Sequence, residues 1–143
     1  MDVVELRKRI KREIDAAKQD AEARRRAGDE AHAEYGAFLA AVAVPLVKQV
    51  VVVLRGEGLG FQTFTPAESV RIVSDRSPED FVELDLDAST SPPRVVGRVS
   101  VKRGRLGVLV EEQPLAPGRR IGEIREDDVL DFLMRAVRVL MSR

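Results

Sequence analysis

The hydrophobic period changes near Gly60, and that change limits the fold more than any motif does. From Val3 to Val53 apolar residues recur at steps of three and four, the spacing of one helical face. From Gly60 to about residue 122 they recur at steps of two, the spacing of one face of a strand, before a last helical stretch. Helices first and strands afterwards make an α+β domain, not an alternating α/β one. The junction is "VVVVLRGEGLGF", Val50 to Phe61, where a β-branched run meets glycines at alternate positions.

The helical part, residues 1–57, reads as a hairpin. Val3, Leu6, Ile10, Ile14, Ala17 and Ala21 form a narrow stripe whose second half is only alanine. Gly28 followed by Asp29 has the form of a helix-ending glycine and a new N-cap, with one continuous helix as the alternative. A second helix is expected through Tyr35, Phe38, Leu39, Val42, Leu46, Val50 and Val53. Pro45 removes a hydrogen bond from it at a cost of about 3 kcal/mol, so a kink or restart is expected there. The rival reading makes Leu46–Leu54 a strand, which its valines favour.

Residues 60–122 read as an antiparallel meander of four strands, with Phe61–Phe64 as a fifth. In "VELDLD", Val82, Leu84 and Leu86 share one face, and Glu83, Asp85 and Asp87 the other. Matching apolar faces across "ASTSPPR" sets Leu84 opposite Val99 and Asp85 opposite Arg98, which neutralises the acidic ladder. A two-residue turn at Arg103-Gly104 sets Val101 opposite Leu106 and Val99 opposite Val108. Residues 126–142 then form a C-terminal helix packed on the sheet, opened by Glu126, Asp127 and Asp128. Its apolar arc includes Phe132 and Val139 on one flank and is wide enough to need two neighbours.

Composition excludes several chemistries. At 143 residues the chain has the length of one domain, and it contains no cysteine, so it has no disulfide and no thiolate nucleophile or ligand. Its one histidine, His32, lacks the partners of a zinc site or a catalytic triad. The glycines of the junction match two positions of a dinucleotide fingerprint, but Phe61 stands at the third, and no G-K-[ST] occurs. No catalytic, cofactor-binding or metal residue is assigned, and no cofactor is expected. The start of the sequence carries no export signal, and Phe38–Leu54 falls short of the roughly 20 apolar residues of a span, so a cytoplasmic protein without membrane contact is expected.

Net charge is zero, from 24 basic and 24 acidic residues, but its distribution is uneven. Residues 1–27 carry +3 (nine basic, six acidic) and residues 93–110 carry +5 (five basic, none acidic). The expected function is a non-enzymatic interaction, adaptor or chaperone-like module that forms a homo-oligomer or binds a protein partner. Leu6, Ile10 and Ile14 of the first helix and Phe132 and Val139 of the last are the candidate surface. A weaker reading is nucleic-acid association through Arg7, Lys8, Lys11 and Arg12 with Arg98, Lys102 and Arg105. Against it, Glu5, Asp20 and Glu22 each precede an arginine by four residues, the order of helix-stabilising ion pairs, and no aromatic residue interleaves with the basic runs. A third reading is a small-ligand pocket between the sheet and the C-terminal helix.

Overall fold

The computed structural model describes residues 1–142. Its first 56 residues form no hairpin: α1 (Val3–Phe38), a π-helical turn (Leu39–Ala43) and α2 (Val44–Gly56) run on as one helix. At 1.5 Å per residue this rod is about 80 Å long. Asp2 caps it, its carboxylate accepting from Val4 N at 3.2 Å. Gly28 lies in mid-helix with open space where a Cβ would be. One glycine costs a helix only about 1 kcal/mol relative to alanine, and the stripe before it is too sparse to repay folding back.

Pro45 is absorbed by the π-helical turn in front of it. Val44 N donates to Leu39 O, five residues back, so the widened turn makes room for a ring that would otherwise strike the preceding turn. Of the four valines that follow only Val51 is buried, and Val52 and Val53 are exposed; the run stays helical because the helix as a whole is docked through Leu46, Val47, Val51 and Leu54, and this packing overrides strand preference. The helix ends at the junction glycines. Gly58 takes φ +83°, Leu59 N donates to Leu54 O at 2.8 Å and Gly58 N to Arg55 O at 3.1 Å, the paired bonds of a Schellman cap.

The sheet is a five-stranded antiparallel meander in sequence order, β1 (Phe61–Phe64), β2 (Ser69–Ser74), β3 (Phe81–Asp87), β4 (Arg94–Lys102) and β5 (Val108–Pro114). β3 pairs with β4 two residues away from the expected register: Glu83, not Asp85, faces Arg98, and Leu84 faces Gly97. An even shift keeps every side chain on its expected face. The β4–β5 hairpin differs by three. Gly104–Leu106 form a 3-10 turn, and Gly107 at φ +85° returns the chain, so Val101 faces Leu109 and Val99 faces Glu111. The odd shift turns Val108 and Val110 to the opposite face and leaves Leu106 exposed.

All the helices cover one face of this sheet. Val70, Ile72, Val82, Leu84, Val95, Val99 and Val101 meet Tyr35 and Phe38 of α1, Leu46, Val47 and Val51 of α2, and the C-terminal helix α3 (Glu126–Leu140) in a single core. Tyr35 OH donates to Leu84 O at 3.1 Å. Gly97 lets α3 come close: a Cβ there would stand 2.4 Å from the Phe132 ring. Phe132, expected on an outer flank, is 2% exposed, because this gap in β4 receives it.

By length and composition the Val3–Gly56 helix could cross a membrane, since 18 of its residues average a hydropathy of 2.3. A third of that stretch is buried within the protein. Phe38, Ala43, Leu46, Val47, Val51 and Leu54 are the anchors that dock it on the sheet.

Candidate interaction surfaces

The long helix has two parts. From Ala31 onward it is docked, with Ala31, Tyr35 and Phe38 buried. From Val3 to Arg26 every residue is exposed except the half-buried Ala21, and this segment projects about 36 Å beyond the domain as an arm. Leu6, Ile10 and Ile14 are 46%, 51% and 49% exposed on it, beside Met1, Val3 and Val4. Scattered exposed apolar side chains are ordinary; these stand in a row at helical spacing. The arm is helical because it extends a helix already nucleated by its docked half.

The open face of the sheet carries a row of charges of alternating sign. Phe64, Arg71, Glu83, Arg98 and Glu112 lie opposite one another across the five strands. Arg71 Nη2 lies 2.6 Å from Glu83 Oε2 and its guanidinium stacks 4.2 Å from the Phe81 ring centroid. Arg98 stands 3.9 Å from both Glu83 and Asp85 and 3.5 Å from Glu112. Burial pushes Asp85 up to about 7, helped by a hydrogen bond with Glu83 and by the Glu83 charge. Burial acts on Glu83 in the same sense, but hydrogen bonds from Asp85 and Arg71 and the charges of Arg71 and Arg98 hold it below the usual carboxylate range. One proton is therefore kept on Asp85 into the neutral range, the behaviour of two carboxyl groups sharing a site. Within the row each charge stands beside one of opposite sign.

A groove of about 640 Å³ lies where the arm leaves the domain, between Ala27, Glu30, Ala31 and Glu34 on the helix and the loops that follow β3 and β5. Its walls are mostly apolar, from Pro92, Pro93, Leu115, Ile121 and Ile124. Glu34 accepts from Gly122 N at 3.3 Å across it. The space expected between sheet and α3 is filled: the void among Val47, Val70, Ile72, Val82 and Leu133 measures about 10 Å³. An opening of about 430 Å³ sits instead at the end of α3, beside Leu59, Phe61, Asp75, Leu140 and Met141.

The fold separates the residues that sequence grouped together. Leu6, Ile10 and Ile14 stand on the arm, whereas Phe132 is enclosed and Val139 packs half-buried against the core. The basic residues are likewise divided. Arg7, Lys8, Lys11 and Arg12 lie on the arm, Arg98 is held by three carboxylates, Lys102 lies 3.7 Å from Glu79, and Arg105 is exposed in the 3-10 turn. The groove escaped sequence reading because it joins segments some 60 and 90 residues apart that share no pattern. No cluster of three His, Cys, Asp or Glu side chains suited to a metal occurs among the described residues. His32 Nδ1 lies 3.1 Å from Glu68, an exposed pair that ties α1 to the β1–β2 loop. Comparison with protein-family models, with curated proteins and with solved structures found no match.

Proposed function

We propose that this chain is an interaction module in which the N-terminal arm is the adhesive element and a second copy is its first partner. The observation that carries this is the uncovered stripe Val3, Leu6, Ile10, Ile14 on a helix whose remaining length is docked in the usual way. Covering an exposed leucine or isoleucine stabilises by about 1.5–3 kcal/mol for complete burial, so a few half-exposed ones supply a concentration-dependent association. The domain then serves as a rigid head, and the arm decides what it is joined to.

Sedimentation velocity across a concentration series tests this directly. Wild type shifts from monomer to oligomer as concentration rises, and Ile10→Glu with Ile14→Glu stays monomeric. Both side chains are solvent-exposed, so the thermal unfolding of the head is the same in the two proteins. A wild type that remains monomeric at the highest concentration reached refutes the proposal, and so does a double variant that associates as well as wild type.

A further inference from the structure

Resting on that reading, we infer that the second copy covers the arm in antiparallel orientation, with the two heads at opposite ends of the helix pair. The position of the head sets the direction. Continuing the stripe from Ala21 by steps of three and four leads through Arg24, Gly28, Ala31, Tyr35 and Phe38, and the last three are the residues buried against the sheet. The head therefore occupies the same side of the helix as the stripe. Two helices in contact lie about 8–10 Å apart. In a parallel pair each head would have to fit into that gap beside the other helix, and a sheet with its own packing layer of about 10 Å does not. An antiparallel partner lies along the stripe and ends before the groove wall at Ala27, with its own head at the far end.

Side-chain size agrees with this direction. The stripe is large at its start and small afterwards, so parallel chains would pair Leu6 with Leu6 and Ala21 with Ala21 across a gap of uneven width. Antiparallel chains with Ile14 near the two-fold axis set Ile10 against Ala17 and Leu6 against Ala21, and the spacing stays even.

Flanking charges permit the register. At 100° per residue Arg7 and Glu22 lie on one flank, Arg9 and Asp20 on the other, and each basic residue meets the acidic one of the second copy. Lys11 and Lys18 form one like-charge contact that opposes them. Charges alone do not select the direction, because a parallel pair would also match Glu13 with Lys18 and Asp20 with Arg25. The position of the head does.

The absence of cysteine makes the test clean, since any introduced thiol is unique. Three samples are oxidised mildly and run on a non-reducing gel: Ile14→Cys alone, Leu6→Cys alone, and Leu6→Cys mixed with a size-tagged Ala21→Cys. The antiparallel pair gives a covalent dimer for Ile14→Cys, a mixed dimer for Leu6→Cys with Ala21→Cys, and none for Leu6→Cys alone. Self-linking of Leu6→Cys as efficient as that of Ile14→Cys means a parallel pair and overturns the inference. Sedimentation of the same variants under reducing conditions separates the two failures. A dimer that yields no crosslink at any of these positions overturns the antiparallel pairing, whereas a monomer overturns the self-association on which it rests.

Discussion

Residues 3–26 and residues 31–56 belong to one helix, and both carry apolar stripes, yet one lies in water and the other forms half of a core. The docked part buries Tyr35, Phe38, Leu46, Val47, Val51 and Leu54 in the core it shares with the sheet. The free part presents alanines and three long aliphatic side chains between charged residues, too little to anchor against a sheet. Glu5 precedes Arg9, Asp20 precedes Arg24 and Glu22 precedes Arg26 by four residues, and such pairs add only about 0.2–0.5 kcal/mol each. The arm therefore borrows its helicity from the docked segment, which has already met the cost of nucleation. An apolar periodicity predicts a helix; whether the stripe is covered depends on what lies beside it.

The two parts of the helix differ most at Phe38. Phe38→Ala opens a cavity in the docked half and lowers stability by about 3–5 kcal/mol, whereas Ile10→Ala, measured on dilute monomer, changes it by less than about 0.5 kcal/mol. Urea unfolding followed by circular dichroism measures both. Equal losses would mean that the arm is covered within the chain and that the two halves do not differ.

A smaller effect is expected at Gly28, which stands between the two parts with open space around it. Gly28→Ala raises local helix stability by about 1 kcal/mol. Amide hydrogen exchange then slows across the arm while the midpoint of head unfolding stays where it was. A shift of that midpoint instead would show that arm and head unfold as one unit.

The smallest effect belongs to the head alone. The Asp85 carboxyl is raised to about 7 in the fold against an ordinary value near 3.9 in the unfolded chain, so the folded state holds the extra proton. Its contribution to stability is complete below the unfolded value and is lost as pH rises through about 7. Asp85→Asn is thus more stable than wild type at pH 8, and the advantage shrinks toward pH 4. Partial exposure and solvent screening keep the difference under about 1 kcal/mol. Urea midpoints across that range check the sign, and association through the arm is unchanged throughout.

Several features are legible in the sequence. The change of period announced an α+β domain, the alternation of Val82–Asp87 sorted its faces, and the five strands follow one another in sequence order. The junction glycines read as a helix end, not as a nucleotide-binding turn, and Gly58 closes a Schellman cap there. What proved illegible has a common cause. Gly28-Asp29 has the local form of a break, but a break needs a surface for the chain to fold back upon, and the arm provides none. The valine run Val50–Val53 carries strand propensity, but the helix that contains it is docked through Leu46, Val47, Val51 and Leu54, which join residues far along the chain in one core. The candidate surface divided in the same way: Leu6, Ile10 and Ile14 stayed outside because nothing among the described residues covers them, while Gly97 drew Phe132 into the core.

Sequence by itself determined the types of element, their order and the faces of β3, because each of these is written in the spacing of near neighbours. Tertiary structure alone decided that the first 56 residues are one rod, that β5 turns Val108 and Val110 outward, and that the arm is left uncovered. These depend on free energies of contact between residues distant in sequence. Periodicity records which side of an element is apolar, and only the assembled fold determines what that side meets.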